Sequence, residues 1–154
     1  MNEIFANVWD ILDEDSAVCI LTNNTVLGPG NNIMGAGIAK EAVERNPGLD
    51  FVCGKCIKEK NFILGIDKVS GALMIRFPTK EHVWKNSELE VIADSLLHLT
   101  AIARLYSDKI FYLPRPGCGC GGLDWEEDVK PLCEIYLKNL NNVYIVSFKG
   151  EIKC

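Results

Sequence analysis

Short apolar runs alternate along this chain with segments whose apolar residues recur at helical spacing. The runs predict strands at residues 4–9, 17–22, 62–66, 72–77, 110–113 and 143–148. The helical spacing predicts helices at residues 38–45 and 51–60, from Ser87 onward, and at a last segment with Pro131 in its first turn. Several strands are apolar throughout, which predicts a largely parallel or mixed sheet covered by helices on both faces. The expected fold is therefore α/β, with residues 1–154 forming a single domain.

Two helix starts carry local capping signals. Ser87 is followed three positions later by Glu90, a capping box that predicts Ser87 as the N-cap of the long helix. Asp124 is placed to cap the turn after it, with Glu127 three positions on.

Composition excludes several classes of protein. The 154 residues are 48% hydrophobic and 24% charged, which suits one globular domain. The net charge of −5 argues against holding nucleic acid by general electrostatics. No apolar run approaches the ~18 residues of a membrane span, and the acidic N-terminus lacks a signal-peptide pattern. We expect a cytoplasmic protein that makes no contact with a membrane.

The seven cysteines predict reduced thiols rather than a disulfide framework, because their number is odd and several lie in apolar runs. Cys53 and Cys56 form a CxxC pair, but a zinc site needs a second pair at suitable spacing. The candidates, Cys118 and Cys120, lie in a glycine-rich loop with poor ligand geometry. The sequence predicts no metal site and no cofactor.

Two glycine-rich loops follow predicted strands, where α/β sheets bind their ligands. The first, residues 22–39, is rich in Gly and Asn and enters a helix, whose N-terminus suits phosphate. Its Asn side chains suit sugar hydroxyls. The second, residues 113–125, has four glycines in six positions. Taken alone, the first loop could be a plain connection, but two such loops suggest a diphosphate held from both sides.

A third segment follows the predicted strand that ends at Phe77. Lys80 is a candidate nucleophilic amine if Phe77 and Trp84 shield it from water, and His82 is a candidate proton carrier. The alternatives are a solvated loop lysine and a structural histidine.

Together these segments resemble the macrodomain family, the ADP-ribose-binding α/β/α fold. Residues 8–12 (VWDIL) are similar to the family's opening Gly-Asp-Ile element, with Trp9 where Gly is usual. Residues 34–39 (MGAGIA) match its first phosphate loop, and residues 114–126 (PRPGCGCGGLDWE) resemble the second. Residues 77–82 (FPTKEH), followed by Trp84 and Ser87, resemble a subgroup that contains the terminal ADP-ribose glycohydrolase and an antitoxin macrodomain acting on ADP-ribosylated DNA bases.

The resemblance implies a three-layer α/β/α sandwich with a central mixed sheet, and it implies roles for particular residues. Asp10 would accept from the adenine amino group, Ile11 would meet the ring through its backbone, and Asn23 or Asn32 would contact the distal ribose. Lys80 would be the catalytic lysine. The diphosphate would be held by Gly35, Ala36, Gly37 and Ile38 of the first loop and by Gly119, Cys120, Gly121, Gly122 and Leu123 of the second. Met34, Pro114, Gly117 and Cys118 are further expected ligand-binding residues.

The leading functional hypothesis is an ADP-ribosyl hydrolase in which Lys80 attacks the distal C1″ and Asp124 or His82 relays protons. Its substrates would be acyl esters, on acidic residues or as O-acetyl-ADP-ribose, or nucleobase adducts. One alternative is a non-catalytic reader of ADP-ribose, and another is a phosphatase acting on ADP-ribose 1″-phosphate. The expected partners are ADP-ribose and ADP-ribosylated protein, nucleic acid or small metabolites, bound by a monomer.

Overall fold

A six-stranded mixed sheet organises the computed structural model, which describes residues 1–148. The strand order is β1-β6-β5-β2-β4-β3, with all neighbours parallel except β3 and β4. The strands are β1 Asn2–Phe5, β2 Ser16–Asn23, β3 Ile63–Ile66, β4 Leu73–Lys80, β5 Ile110–Pro114 and β6 Val143–Ser147. The helices are α1 Val8–Ile11, α2 Gly37–Arg45, α3 Leu49–Glu59, α4 Leu89–Leu105 and α5 Lys130–Leu137.

Alternate residues of the central strands enter two separate cores. On one face, Cys19 of β2 and Phe77 of β4 pack in a cluster with Leu96 of α4 and Cys133 of α5. On the other face, Ile20 belongs to a cluster built with residues of α2 and α3. The predicted α/β/α arrangement around a mixed sheet is confirmed.

The first predicted strand is too long. Strand β1 ends at Phe5, and residues 8–11 form the short helix α1, whose N-cap Asn7 accepts a hydrogen bond from the Trp9 amide at 3.2 Å. The chain turns away from the sheet at this cap, so Val8 and Trp9 are helical rather than part of the predicted strand. Among the described residues, no helix has the length and apolar character that a membrane span requires.

The capping box at Ser87 does not form. Helix α4 begins at Leu89 with Glu88 as its N-cap, and Ser87 lies before it. The Ser87 amide instead donates to the Gly121 carbonyl. By contrast, Asp124 caps a π-helical turn at residues 125–129, and its carboxylate accepts from the Glu127 amide at 2.8 Å, as predicted.

Four cysteines, Cys19, Cys53, Cys56 and Cys133, are free and buried. Burial raises the pKa of Cys53 and of Cys133 to about 12, so neither thiol offers a thiolate at neutral pH.

Candidate functional site

A cavity of about 940 Å³ lies across the carboxyl ends of five parallel strands. Ala6 after β1, Val146 of β6, Pro114 of β5, Asn23 of β2 and Lys80 of β4 all line it. Four strand spacings of about 4.8 Å separate β1 from β4, so the cavity is roughly 19 Å long. The two glycine-rich loops follow β2 and β5, and therefore lie near its middle.

The first loop enters α2 through residues that line the cavity. Gly35, Ala36, Gly37 and Ile38 all lie on its surface. No side chain caps the N-terminus of α2, and Gly37 has a φ of 56°, a left-handed conformation that favours glycine. The first amides of α2 are therefore left to bind an anion in the cavity. Met34, predicted with them, is buried and does not line the cavity.

Asn23 and Asn32, the two candidates for contact with the distal ribose, lie in different surroundings. Asn32 is fully buried, and its amide donates to the side chain of Asn23 and to the Thr25 carbonyl, both at 2.8 Å. Its carbonyl oxygen accepts from the Thr22 hydroxyl at 2.6 Å. Asn23 lines the cavity, and its amide nitrogen donates to the Ile33 carbonyl at 2.9 Å. Asn32 thus braces the loop, and Asn23 is the one that can face a ligand.

The second loop lines the opposite side of the cavity centre. Its lining residues include Pro114, Gly117, Gly119, Cys120 and Gly121, whereas the predicted Cys118, Gly122 and Leu123 do not line the cavity. Gly121 fits so closely that a Cβ there would lie 2.1 Å from the Ser87 hydroxyl oxygen. At its glycines, this loop therefore presents backbone to the ligand space.

Arg115 is a cavity residue that the sequence analysis missed. It lines the cavity beside Pro114, and its guanidinium lies over the Trp125 ring, 5.0 Å from the centroid. Its buried Nε has no hydrogen-bond partner among the described residues. Its position within the second glycine-rich loop, two residues before the first glycine, was the available signal. A guanidinium there can bind phosphate oxygens.

Lys80 is the last residue of β4 and lies opposite Asn23 of β2 in the sheet. It is partly buried at the β4 end of the cavity, next to Thr79 and Val83. Its carbonyl accepts from the Asn24 amide at 3.2 Å, which fixes the backbone at the point where the chain leaves the sheet.

Comparison with solved structures identifies the fold. The macrodomain of Thermus aquaticus DarG superposes with a TM-score of 0.76 at 22% identity, covering 97% of both chains. The macrodomain of Mycobacterium tuberculosis DarG superposes with a TM-score of 0.75 at 26% identity, covering 96% of this chain and 97% of the other. By fold, the chain is a macrodomain.

Two further relatives are informative. Thermosipho africanus DarTG, solved in complex with ADP-ribose, superposes with a TM-score of 0.75 at 23% identity, covering 99% of this chain and 43% of the other. The DNA ADP-ribosyl glycohydrolase of Mycobacterium tuberculosis is 31% identical over 125 residues, 77% of this chain. The macrodomain spans about a third of the length of the curated relatives that it matches, 34% in this case. No protein-family model matches the chain.

Several residues predicted for the macrodomain site lie outside the cavity lining. Asp124 is exposed, and its carboxylate accepts the hydrogen bond that caps the π-helical turn. His82 stacks on Trp84, with ring centroids 4.7 Å apart. Asp10 is exposed, and neither it nor Ile11 lines the cavity. Of the three predicted catalytic side chains, Lys80 alone is a lining residue in the described part of the chain.

The β1 end of the macrodomain cavity is lined by α1 residues and by Phe148. Trp9 lies on this wall, and the Arg45 guanidinium stacks over its ring, 4.3 Å from the centroid. Arg45 in turn pairs with the buried Asp67 at 2.7 Å. The Arg45–Asp67 ion pair therefore fixes the guanidinium that supports the Trp9 ring in the cavity wall.

Charged side chains give the cavity a sign opposite to that of the whole macrodomain. The described lining residues include three cations, Lys40, Lys80 and Arg115, and two carboxylates, Glu41 and Glu44. The lining therefore has one excess positive charge, whereas the chain has a net charge of −5. This local excess favours an anionic ligand. The described residues contain no cluster of His, Cys, Asp or Glu that could hold a metal ion.

Proposed function

We propose that this macrodomain binds ADP-ribose and acts as an ADP-ribosyl hydrolase, with Lys80 as the nucleophile. The observation that carries the proposal is the position of Lys80 at one end of a cavity whose centre is formed by two glycine-rich loops. Thermosipho africanus DarTG, solved in complex with ADP-ribose, supports the binding, and the relative named as a DNA ADP-ribosyl glycohydrolase supports the hydrolase activity.

We propose one orientation for ADP-ribose in the cavity. The diphosphate would lie between the amides of Gly37 and Ile38 and the backbone at Gly119 to Gly121, within reach of Arg115. The adenosine would extend toward Trp9 at the β1 end. The distal ribose would extend toward Asn23 and Lys80 at the β4 end, which brings C1″ next to the amine.

The proposed reaction uses the unprotonated amine of Lys80. Its Nζ bonds to C1″ as the bond from C1″ to the acceptor breaks, and the acceptor leaves with that electron pair and takes up a proton. Water then adds at C1″, and the C1″–Nζ bond breaks to release ADP-ribose and the free amine. Glycosidic esters and nucleobase adducts both place their leaving group at C1″, so either class is a candidate substrate.

A non-catalytic reader is the second candidate. The observation that favours it is the position of Asp124 and His82 outside the cavity lining, which leaves Lys80 without either of the proton carriers expected from the sequence. The same position of His82 removes the support for a phosphatase, so that reading is not proposed.

Calorimetry and turnover separate these candidates. Titration with ADP-ribose should show micromolar binding, whereas AMP and ribose 5-phosphate should bind far more weakly because each fills only part of the cavity. Lys80→Ala should abolish turnover of ester-linked and base-linked substrates and keep ADP-ribose affinity within a few-fold. Lys138→Ala, at an exposed position after α5, is the matched control. Binding without turnover by the unmutated protein would favour the reader, and no binding would reject both.

A further inference from the structure

We propose that Trp9 forms the base subsite of this macrodomain, and that it recognises the plane of a purine rather than the amino group of adenine. The inference rests on the proposed function, in which the adenosine extends toward this residue. It makes the ligand class broader than ADP-ribose alone. The class is the purine nucleoside diphosphate riboses, with adenine and hypoxanthine accepted about equally.

One face of the Trp9 ring is covered, and the other is left for a ligand. The Arg45 guanidinium lies over the ring, 4.3 Å from its centroid. Trp9 is partly buried and lines the cavity. Because the guanidinium occupies one face of the indole, a planar group in the cavity can stack on the opposite face. Every purine has such a planar face, whatever its exocyclic groups are.

The guanidinium behind the ring is fixed by a buried carboxylate. The Arg45 Nε and Nη2 donate to the two carboxylate oxygens of Asp67, at 3.3 Å and 2.7 Å. Asp67 also accepts from the Asn46 side-chain amide at 2.8 Å and from the Ser70 hydroxyl at 2.6 Å. An indole that is already packed against a fixed guanidinium loses little further conformational entropy when a base stacks on it.

Helix α2 connects the expected diphosphate site with Trp9. Gly37, the first residue of α2, lines the cavity, and Arg45, its last residue, contacts the indole. The helix rises about 12 Å between these two positions. That separation leaves room for the ribose of a nucleoside between a diphosphate at the N-terminus of α2 and a base on Trp9.

No buried carboxylate lines this end of the cavity in the described part of the chain, so the adenine amino group lacks a strong acceptor there. Asp10 is exposed and does not line the cavity. Glu41 and Glu44 line it but are exposed, so water competes with a ligand for their oxygens. The Asn7 side-chain oxygen already accepts from the Trp9 amide. Hypoxanthine, which has a carbonyl oxygen in place of the amino group, should therefore be accepted as well.

Calorimetry with ADP-ribose and its hypoxanthine counterpart, inosine diphosphate ribose, tests the base subsite. The unmutated protein should bind the two ligands with affinities within about threefold of each other. Trp9→Ala should weaken the binding of both about tenfold or more, because the stack is lost. Trp9→Phe keeps a ring and should regain most of that loss. Phe51→Ala, which removes an exposed aromatic side chain from α3, is the matched control.

Tryptophan fluorescence provides a second readout that does not depend on the alanine variant. ADP-ribose should quench the emission of the unmutated protein, because the base stacks directly on the indole of Trp9. In Trp9→Phe the quenching should be largely lost while calorimetric binding remains. Undiminished quenching in Trp9→Phe would overturn the stack.

The outcomes separate this inference from the proposed function. If ADP-ribose binds the unmutated protein and Trp9→Ala equally well, the base subsite is rejected and the proposed function stands. A larger preference for ADP-ribose over inosine diphosphate ribose would show that the amino group is recognised, and would overturn the broader ligand class. If ADP-ribose does not bind the unmutated protein, the proposed function fails and the base subsite falls with it.

Discussion

The Ser87 amide donates a hydrogen bond to the Gly121 carbonyl at 3.0 Å, and this contact joins the loop after Lys80 to the second glycine-rich loop. The Ser87 hydroxyl also donates to the Thr79 hydroxyl at 3.3 Å, directly before Lys80. The segment that holds the candidate nucleophile and the loop expected to hold the diphosphate are therefore packed as one unit.

Gly121→Ala should destabilise the protein. The added Cβ would lie 2.1 Å from the Ser87 Oγ and 2.6 Å from the Gly117 carbonyl oxygen, so the two loops must move apart. Overpacking of this kind costs about 1–3 kcal/mol, which thermal unfolding would detect as a lower Tm. Gly119→Ala is the matched control, because a Cβ there meets nothing within 4 Å. An equal Tm for both variants would contradict the close packing.

Gly54→Ala should be the more damaging glycine substitution. Gly54 lies in α3, and a Cβ at this position would be 1.9 Å from the Gly30 carbonyl oxygen. The obstacle is backbone, so α3 or the first loop must shift, at a cost of about 3 kcal/mol. Denaturant unfolding measures that loss. Gly28→Ala, in the same loop and with open space around its Cβ, should leave the midpoint nearly unchanged.

Local sequence patterns predicted the parts of the site that depend on strand ends. Lys80 ends β4 and the two glycine-rich loops follow β2 and β5, and the carboxyl ends of parallel strands meet at one edge of a sheet. Their convergence on one cavity therefore follows from the order of elements alone. The alternation of strands with helices and the glycine-rich segments are local patterns, and they are enough to predict that these loops lie together.

The sequence could not predict the contacts that compete with local patterns. Ser87 matches a capping box, yet its amide bonds to Gly121, which lies 34 positions away. Asn32 has a side chain suited to binding sugar hydroxyls, yet it is fully buried and forms its hydrogen bonds within its own loop. The stack of Arg45 on Trp9 likewise depends on which elements the fold brings together. In each case a tertiary partner, absent from the local pattern, decides the role.

Asp67→Asn should remove a pH-dependent part of the stability. Burial of Asp67 opposes its ionisation, but hydrogen bonds from Arg45, Ser70 and Asn46 outweigh this effect and hold the pKa of Asp67 well below its ordinary value. A carboxylate of this kind stabilises the fold above the pKa of its unfolded state, about 3.9. That contribution is lost as the pH falls toward the lower pKa of the folded state.

The measurement is Tm against pH, from neutral to strongly acidic solution. Asp67→Asn should lower stability at neutral pH by about 3 kcal/mol, because it leaves Arg45 without its anionic partner. Below pH 4 its curve should approach that of the unmutated protein. Asp108→Asn, at an exposed turn, should follow the unmutated curve throughout. A constant offset for Asp67→Asn at every pH would contradict the linkage.

Asn24 should control turnover through the position of Lys80. Its side-chain oxygen accepts from the buried Arg76 guanidinium at 2.9 Å, and its amide nitrogen donates to the Glu81 carboxylate at 3.1 Å. Asn24→Ala removes both contacts, and we expect it to lower both stability and kcat. Asn24→Asp keeps an acceptor for Arg76 but faces Glu81 with a second negative charge, so we expect it to retain stability while kcat falls about tenfold. ADP-ribose affinity should change little, because Asn24 does not line the cavity. Full turnover by Asn24→Asp would show that the hydrogen bond from the Asn24 side chain to Glu81 does not position Lys80.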